Sequence, residues 1–287
     1  MPIKGSFIFV SMKFYLGPLA TVSFLLLAIG LLANVAAAVI FLLRKSDNKR
    51  ADFFQSGLHL AFALTCLHLI LIVQGVYERN EALLFLPVYH TLALGPFLFF
   101  AIKLRLFPAY KFVPSDAKHF FLPFGQFCYF AILFFFTTPE FRAELGRKFY
   151  SPFYGGLEMA LFIITFNFYM AAAYRFIRFR LARDHNKPPD WERHQTLQLR
   201  RLIRVLFVLF LFNSAYILTD FIMYELLRLN MHDFRGFTRS GEIVFATMAL
   251  WVAWAGSRIL RKKPYKSMSE ATYRFLKQFI LRRKKVV

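Results

Sequence analysis

The sequence predicts an all-α fold, that of a polytopic membrane protein with a seven-transmembrane-helix bundle and an amphipathic helix after it. Composition is the first reason: 58% of the 287 residues are hydrophobic and 18% are charged, whereas soluble domains average about 45–50% apolar and about 25% charged residues. The second reason is that the apolar residues gather in runs of the ~20 residues that a helix needs to cross a bilayer. The alternating pattern of a β-barrel is absent from the sequence, so helices are the predicted spanning elements.

Seven apolar runs give the predicted helices in chain order. The first run is much longer than the ~7–15 apolar residues of a secretory signal, which indicates a helix that is retained. The second and third are separated by the four residues 78–81, so we expect them to be antiparallel neighbours. The fourth is the shortest, and the last three again have the length of a spanning helix. The runs cover residues 16–43, 57–77, 82–102, 120–136, 153–174, 202–227 and 242–260.

Lysine and arginine are distributed unevenly between alternate loops, which predicts the orientation of the bundle. Loops on one side hold 27 of the 37 basic residues and loops on the other side hold 9. Basic loops stay in the cytoplasm, so we expect the N-terminus outside and the C-terminus in the cytoplasm of an inner (plasma) membrane. Membrane topology and an anionic inner leaflet explain the formal net charge of +21, and we predict no nucleic-acid partner.

Residues 1–265 form the predicted bundle, and residues 266–287 form a predicted basic amphipathic tail in the cytoplasm. Ser267 and Glu270 have the spacing of a capping box, which predicts a helix start. That helix has one apolar and one basic face, as is typical of a helix that lies on an anionic leaflet. Docking of a cytoplasmic protein uses the same pattern, so both partners stay open. The apolar face consists of Phe275, Leu276, Phe279 and Ile280.

The sequence carries no specific catalytic motif. A Gly-rich phosphate loop, a His-Glu-x-x-His zinc motif and a Gly-x-Ser-x-Gly nucleophile turn are all absent. We therefore predict a protein without enzymatic activity, cofactor or resident metal. His68 and His90 are predicted to lie at a similar depth in the membrane. Two such histidines can form a bis-imidazole metal or haem site, but companion ligands are missing. Hydrogen bonds between helices are therefore the favoured interpretation.

Polar residues in the outer half of helices five to seven predict a ligand-binding pocket. Helix six presents polar side chains on one face at spacings of three and four residues, and helices five and seven each have a glutamate about one turn inside the outer surface. Such groups suit a cationic or hydrogen-bonding ligand, or proton sensing. The alternative is that the acids only extend to the water at the helix ends. The predicted ligand-binding residues are Asp220, Glu158, Glu242, Tyr216, Asn213 and His90.

Helix three contains the pair Gly95 and Pro96 near its middle. A proline inside a helix removes one backbone hydrogen bond and usually produces a kink. The pair is thus a candidate hinge, and static packing geometry is the alternative.

Short motifs in the first half of the chain resemble a known family. The segment 92–103, Leu-Ala-Leu-Gly-Pro-Phe-Leu-Phe-Phe-Ala-Ile-Lys, is followed by the segment 118–124, Lys-His-Phe-Phe-Leu-Pro-Phe. In this order they resemble the seven-helix sensor region of membrane-bound AraC-type transcription regulators, over about residues 16–262. The resemblance implies a sensory module. The ~100-residue DNA-binding domain of that family has no counterpart in the 27 residues after Leu260, so DNA binding is not expected.

The predicted function is that of a sensor-like or signal-transducing membrane protein, which relays an outer or intramembrane signal to a cytoplasmic partner. The alternative is a structural or assembly subunit of a larger membrane complex, in which the polar residues only hold helices together. Composition and motifs leave the oligomeric state open.

Overall fold

The computed structural model describes residues 17–46, 48–149, 152–182, 190–229, 231 and 234–261. Every regular element in these ranges is helical, which confirms the predicted all-α fold for this part of the chain. The predicted tail with Phe275, Leu276, Phe279 and Ile280 lies outside the described residues. The α-helices are α1 (Pro18–Leu43), α2 (Lys49–Val73), α3 (Val76–Arg79), α4 (Thr91–Leu106), α5 (Phe121–Phe136), α6 (Pro139–Phe149), α7 (Pro152–Ala182), α8 (Asp190–Leu227) and α9 (Arg235–Arg261), and the 3-10 helices are Glu81–Leu83 and Pro114–Phe120.

Five helices in the described part of the chain are long and apolar enough to cross a membrane, which indicates a membrane protein. Helix α4 has 16 residues, or ~24 Å at ~1.5 Å per residue, and α9 carries Arg235, Arg239 and Glu242 in its first turns. The count of seven spanning helices therefore stays a prediction. The five ranges are Pro18–Leu43, Lys49–Val73, Pro114–Phe136, Gly156–Ala182 and Arg193–Tyr224.

Six of the helices form a closed ring. Each packs against the next in the order α1, α2, α4, α7, α8 and α9, and α9 packs against α1 again. Helix α2 also contacts α9, while α5 packs against α4 from outside the ring. We name the two ends of the bundle after the first helix, the Pro18 end and the Leu43 end.

Besides its apolar core, the bundle buries several polar side chains and exposes many large apolar ones. Ser23, Asn34 and His59 are fully buried, whereas Leu32 is 69% and Phe136 is 82% exposed. Water-soluble proteins show the opposite preference for polar residues. The distribution is typical of helices that are surrounded by hydrocarbon and held together by polar contacts.

A buried ion-pair cluster joins three helices at the Leu43 end. Asp52 of α2 is 1% exposed and accepts from Arg105 of α4 at 2.9 Å and from Arg44, just after α1, at 2.8 Å. Ser46 donates a further hydrogen bond to the same carboxylate. The guanidinium carbons of Arg105 and Arg44 also lie over the ring of Phe41, at 5.4 Å and 5.5 Å from its centroid.

A second polar network lies at mid-height between α1, α2 and α9. Asn34 donates from Nδ2 to the carbonyl oxygens of Gly30 and Ala249, at 2.8 Å and 3.0 Å. Its Oδ1 lies 2.8 Å from Nδ1 of His59, whose ring stacks on Phe41. The network fixes the position of α9 against α1 and α2.

The predicted boundaries are wrong between the second and third helices. The apolar run predicts a helix from residue 82 after a four-residue connection, but α4 begins at Thr91. Two residues oppose a helix here: Phe85 has a positive φ of 63°, and Pro87 cannot donate a backbone hydrogen bond. Residues 74–90 instead form the short helix α3 and the 3-10 helix Glu81–Leu83, joined by turns. Phe85 and Tyr89 of this stretch pack against Phe130 and Leu133 of α5.

Candidate functional site

A cavity of about 620 Å³ lies between α2, α7, α8 and α9, in the half of the bundle nearer the Pro18 end. Most of its wall is apolar, with residues such as Leu69, Phe162 and Phe245. Leu157 and Phe221 also line the cavity and are 71% and 40% exposed, so it reaches the surface of the bundle between α7 and α8. A volume of this size is typical of small-molecule sites.

Three carboxylates on three different helices line this cavity. They belong to Glu158 of α7, Asp220 of α8 and Glu242 of α9, and none of the described lining residues is a lysine or arginine. Attraction between opposite charges is stronger in an apolar environment than in water. The wall therefore favours a positively charged ligand.

Glu242 is tied to α1 and to its own helix. It is 5% exposed, and its Oε2 accepts a hydrogen bond from Ser23 Oγ at 2.5 Å. Its Oε1 pairs with Nη1 of Arg239, one turn earlier in α9, at 2.6 Å. This carboxylate thus has a basic partner and a structural role between α1 and α9.

Glu158 is held by uncharged groups. Its Oε1 accepts from the side-chain amide of Gln126 in α5. The Oε1 of that glutamine in turn accepts from the backbone N–H of Leu92 at 3.3 Å. The N-terminal turn of α4 and the middle of α5 therefore position the Glu158 carboxylate at the cavity without supplying a positive charge.

One face of α8 provides three further predicted residues. Asn213, Tyr216 and Asp220 follow at spacings of three and four and line the cavity together. The Tyr216 ring stacks on Phe237 with 4.5 Å between centroids. Gly241 allows this arrangement, since a Cβ there would lie 2.4 Å from the Tyr216 ring.

His90 is not among the residues that line the cavity. It precedes the first turn of α4, and its Nε2 lies 3.0 Å from the carbonyl oxygen of Pro87. The difference follows from the late start of α4, which moves His90 out of the predicted helix. His68 of α2 lines the cavity instead, with its Nδ1 2.9 Å from the hydroxyl of Tyr77.

Gly95 and Pro96 lie inside α4 and away from the cavity wall. A Cβ at Gly95 would come within 2.6 Å of the Tyr169 ring, so this glycine allows α4 and α7 to approach closely. Helix α4 continues through Pro96 to Leu106. The role of the pair as a hinge stays a prediction.

Two residues that support the site, Ser23 and Gln126, were not predicted from the sequence. Ser23 is a small polar residue inside the first apolar run, and Gln126 is a polar residue inside the fourth run. A polar residue in such a run is usually buried against a neighbouring helix, which is the signal that finds both. The described residues contain no group of three or more His, Cys, Asp or Glu side chains arranged to hold a metal ion.

Fold and site together define a helical membrane bundle with an acidic cavity in one half. No protein-family model matches the chain, and no curated protein and no solved structure is significantly similar to it. The resemblance to the AraC-type sensor region therefore stays a prediction from short motifs.

Proposed function

We propose that the chain is a non-enzymatic sensory protein of the inner (plasma) membrane that binds an amphipathic organic cation in this cavity. The observation that supports the proposal is the wall of the cavity: Glu158, Asp220 and Glu242 converge on it, and its described lining contains no lysine or arginine. The apolar remainder of the wall suits the hydrophobic part of such a ligand. The opening between α7 and α8 would admit it from the bilayer.

Helix α9 is the element through which binding would reach the cytoplasm. Glu242 lies at the cavity, and Arg258 lies at the other end of the same helix, before the tail. A ligand changes the balance between two positions of α9 only by the difference in its affinity for them. The tail would then change its contact with a cytoplasmic partner, whose binding relays the signal.

The binding experiment uses tetraphenylphosphonium, a hydrophobic cation, with tetraphenylborate as an anion of the same shape. We expect equilibrium dialysis of the purified protein in detergent to show saturable binding of the cation alone. Asp220→Asn and Glu158→Gln should each weaken binding about tenfold, equivalent to about 1.4 kcal/mol, because each removes one negative charge from the wall.

Glu140→Gln is the matched control, since Glu140 is exposed on α6 and does not line the cavity. We expect it to bind the cation like the parent protein. Equal binding of the cation and the anion, or unchanged binding in both cavity variants, would contradict the proposal. Either result would favour the alternative of a structural subunit.

The proposal also includes seven spanning helices with the Leu43 end in the cytoplasm. We expect green fluorescent protein fused after Val287 to fluoresce in cells, because it matures in the cytoplasm. Alkaline phosphatase inserted after Glu144, in α6 at the Pro18 end, should be active, because that enzyme needs the outer compartment to form its disulfides. The reverse pattern of the two reporters would overturn the orientation.

A further inference from the structure

A basic and aromatic groove lies between α8 and α9 at the Leu43 end, far from the acidic cavity. Arg201 of α8 and Arg258 of α9 line it together with Trp254. The guanidinium carbon of Arg258 lies 4.0 Å from the centroid of the Trp254 ring, and that of Arg201 lies 5.9 Å from it. The two positive charges are thus held beside the same aromatic ring.

Neither arginine has an acidic partner in the part of the chain that the structure describes. The ion pairs there involve Asp52, Asp116 and Glu242 as acids. Both arginines are exposed, and the groove between them has a volume of about 20 Å³, which is room for about one oxygen-sized group. Guanidinium groups that converge on such a space are suited to a phosphate oxygen.

The helix surfaces beside the groove favour a lipid as the source of this phosphate. Val208 and Phe212 follow Arg201 at spacings of seven and eleven residues, on the same face of α8. They are 51% and 64% exposed, so an apolar track leads from the groove toward the middle of the bundle. Tryptophan is typical of the boundary between hydrocarbon and head groups, so Trp254 is a suitable neighbour for a lipid phosphate.

We propose that Arg201, Arg258 and Trp254 form a binding site for the phosphate of an anionic phospholipid, with an acyl chain along Val208 and Phe212. The site rests on observations independent of the acidic cavity. It would fix the tilt of α8 and α9 relative to the leaflet at the Leu43 end.

Tryptophan fluorescence provides the test, because the chain has three tryptophans and two of them, Trp251 and Trp254, line the groove. Trp191→Phe leaves these two as the fluorophores. The protein is placed in phosphatidylcholine nanodiscs that contain about 10% of a lipid brominated near the head group, either phosphatidylglycerol or phosphatidylcholine. We expect the brominated phosphatidylglycerol to quench the tryptophan fluorescence at least twofold more than the brominated phosphatidylcholine.

The charge-matched pair of variants separates the site from general attraction. Arg201→Gln with Arg258→Gln should remove the excess quenching, whereas Arg175→Gln with Arg178→Gln, at exposed positions of α7, should retain it. Arg258→Gln alone should reduce the excess if the double variant does not fold. Equal quenching by both lipids in the parent, or equal loss in both double variants, would overturn the proposal.

A further arm distinguishes a lipid from free phosphate. Sodium phosphate added at the ionic strength of a sodium chloride control should leave the excess quenching unchanged, because the bilayer presents the lipid at high local concentration. Loss of the excess in phosphate but not in chloride would assign the groove to a soluble phosphate compound and overturn the lipid as its ligand.

Discussion

Replacing Arg105 by alanine is expected to lower the free energy of unfolding by about 3 kcal/mol, because it removes one partner of a buried ion pair. Asp52 is 1% exposed and would keep only Arg44 as a charged partner, whose side chain is 25% exposed. A carboxylate in such surroundings loses more from a missing partner than one at a surface. Unfolding of the detergent-solubilised protein, followed by circular dichroism, measures the effect.

Arg50→Ala is the control for this prediction. Arg50 lies in the first turn of α2 at the same end of the bundle, is exposed, and donates to the carbonyl oxygen of Tyr110 at 2.8 Å. Its loss should cost less than about 1 kcal/mol, as for other exposed charged residues. Removing Asp52 as well as Arg105 should restore part of the stability, because no unpaired carboxylate is then buried. Equal costs for Arg105→Ala and Arg50→Ala would show that the ion pair contributes little.

Gly256→Ala is expected to destabilise the bundle by about 1–3 kcal/mol, the usual range for overpacking a core. A Cβ at this position of α9 would lie 2.5 Å from Nε2 and 2.8 Å from Cε1 of His59. The ring cannot easily move away, since it is hydrogen-bonded to Asn34 and stacked on Phe41. The same unfolding measurement tests this variant, and we expect α9 to separate from α2 in it.

Gly236→Ala provides the matched control in the same helix. Apart from its chain neighbours and the backbone of α9 itself, no atom of the described residues lies within 4 Å of the position of a Cβ there, and alanine favours a helix over glycine by up to about 1 kcal/mol. Gly236→Ala should therefore leave stability unchanged or raise it slightly. If both alanine variants unfold alike, the close approach of Gly256 to His59 is not a constraint on the bundle.

The helical fold could be predicted because hydrophobic length is a property of one segment at a time. The run at residues 16–43 needs no partner to be recognised, and α1 covers Pro18–Leu43. The start of α4 could not be predicted from hydropathy, since residues 82–90 are apolar but contain Phe85, with its positive φ, and Pro87. Local backbone geometry, rather than apolar character, delays the start of α4 to Thr91.

The cavity residues of α8 could also be predicted, because their pattern again belongs to a single segment. Asn213, Tyr216 and Asp220 have helical spacing, so the sequence places them on one face before any packing is known. Packing between distant segments is different. The pair of Asp52 and Arg105 joins two residues 53 positions apart, and both fall in predicted loops, where hydropathy gives no indication that they are buried together.

The length of α8 has a mechanical consequence. Its 38 residues extend over ~57 Å at ~1.5 Å per residue, nearly twice the ~30 Å of a hydrocarbon core. A stiff rod of this length, pivoting near its midpoint, amplifies small rotations: a tilt of about 5° moves either tip by about 2–3 Å. A small rearrangement of side chains around Asp220 that tilts α8 would thus displace the other end of the helix by about the width of an atom. Such a displacement is large enough to break or form a hydrogen bond with another protein.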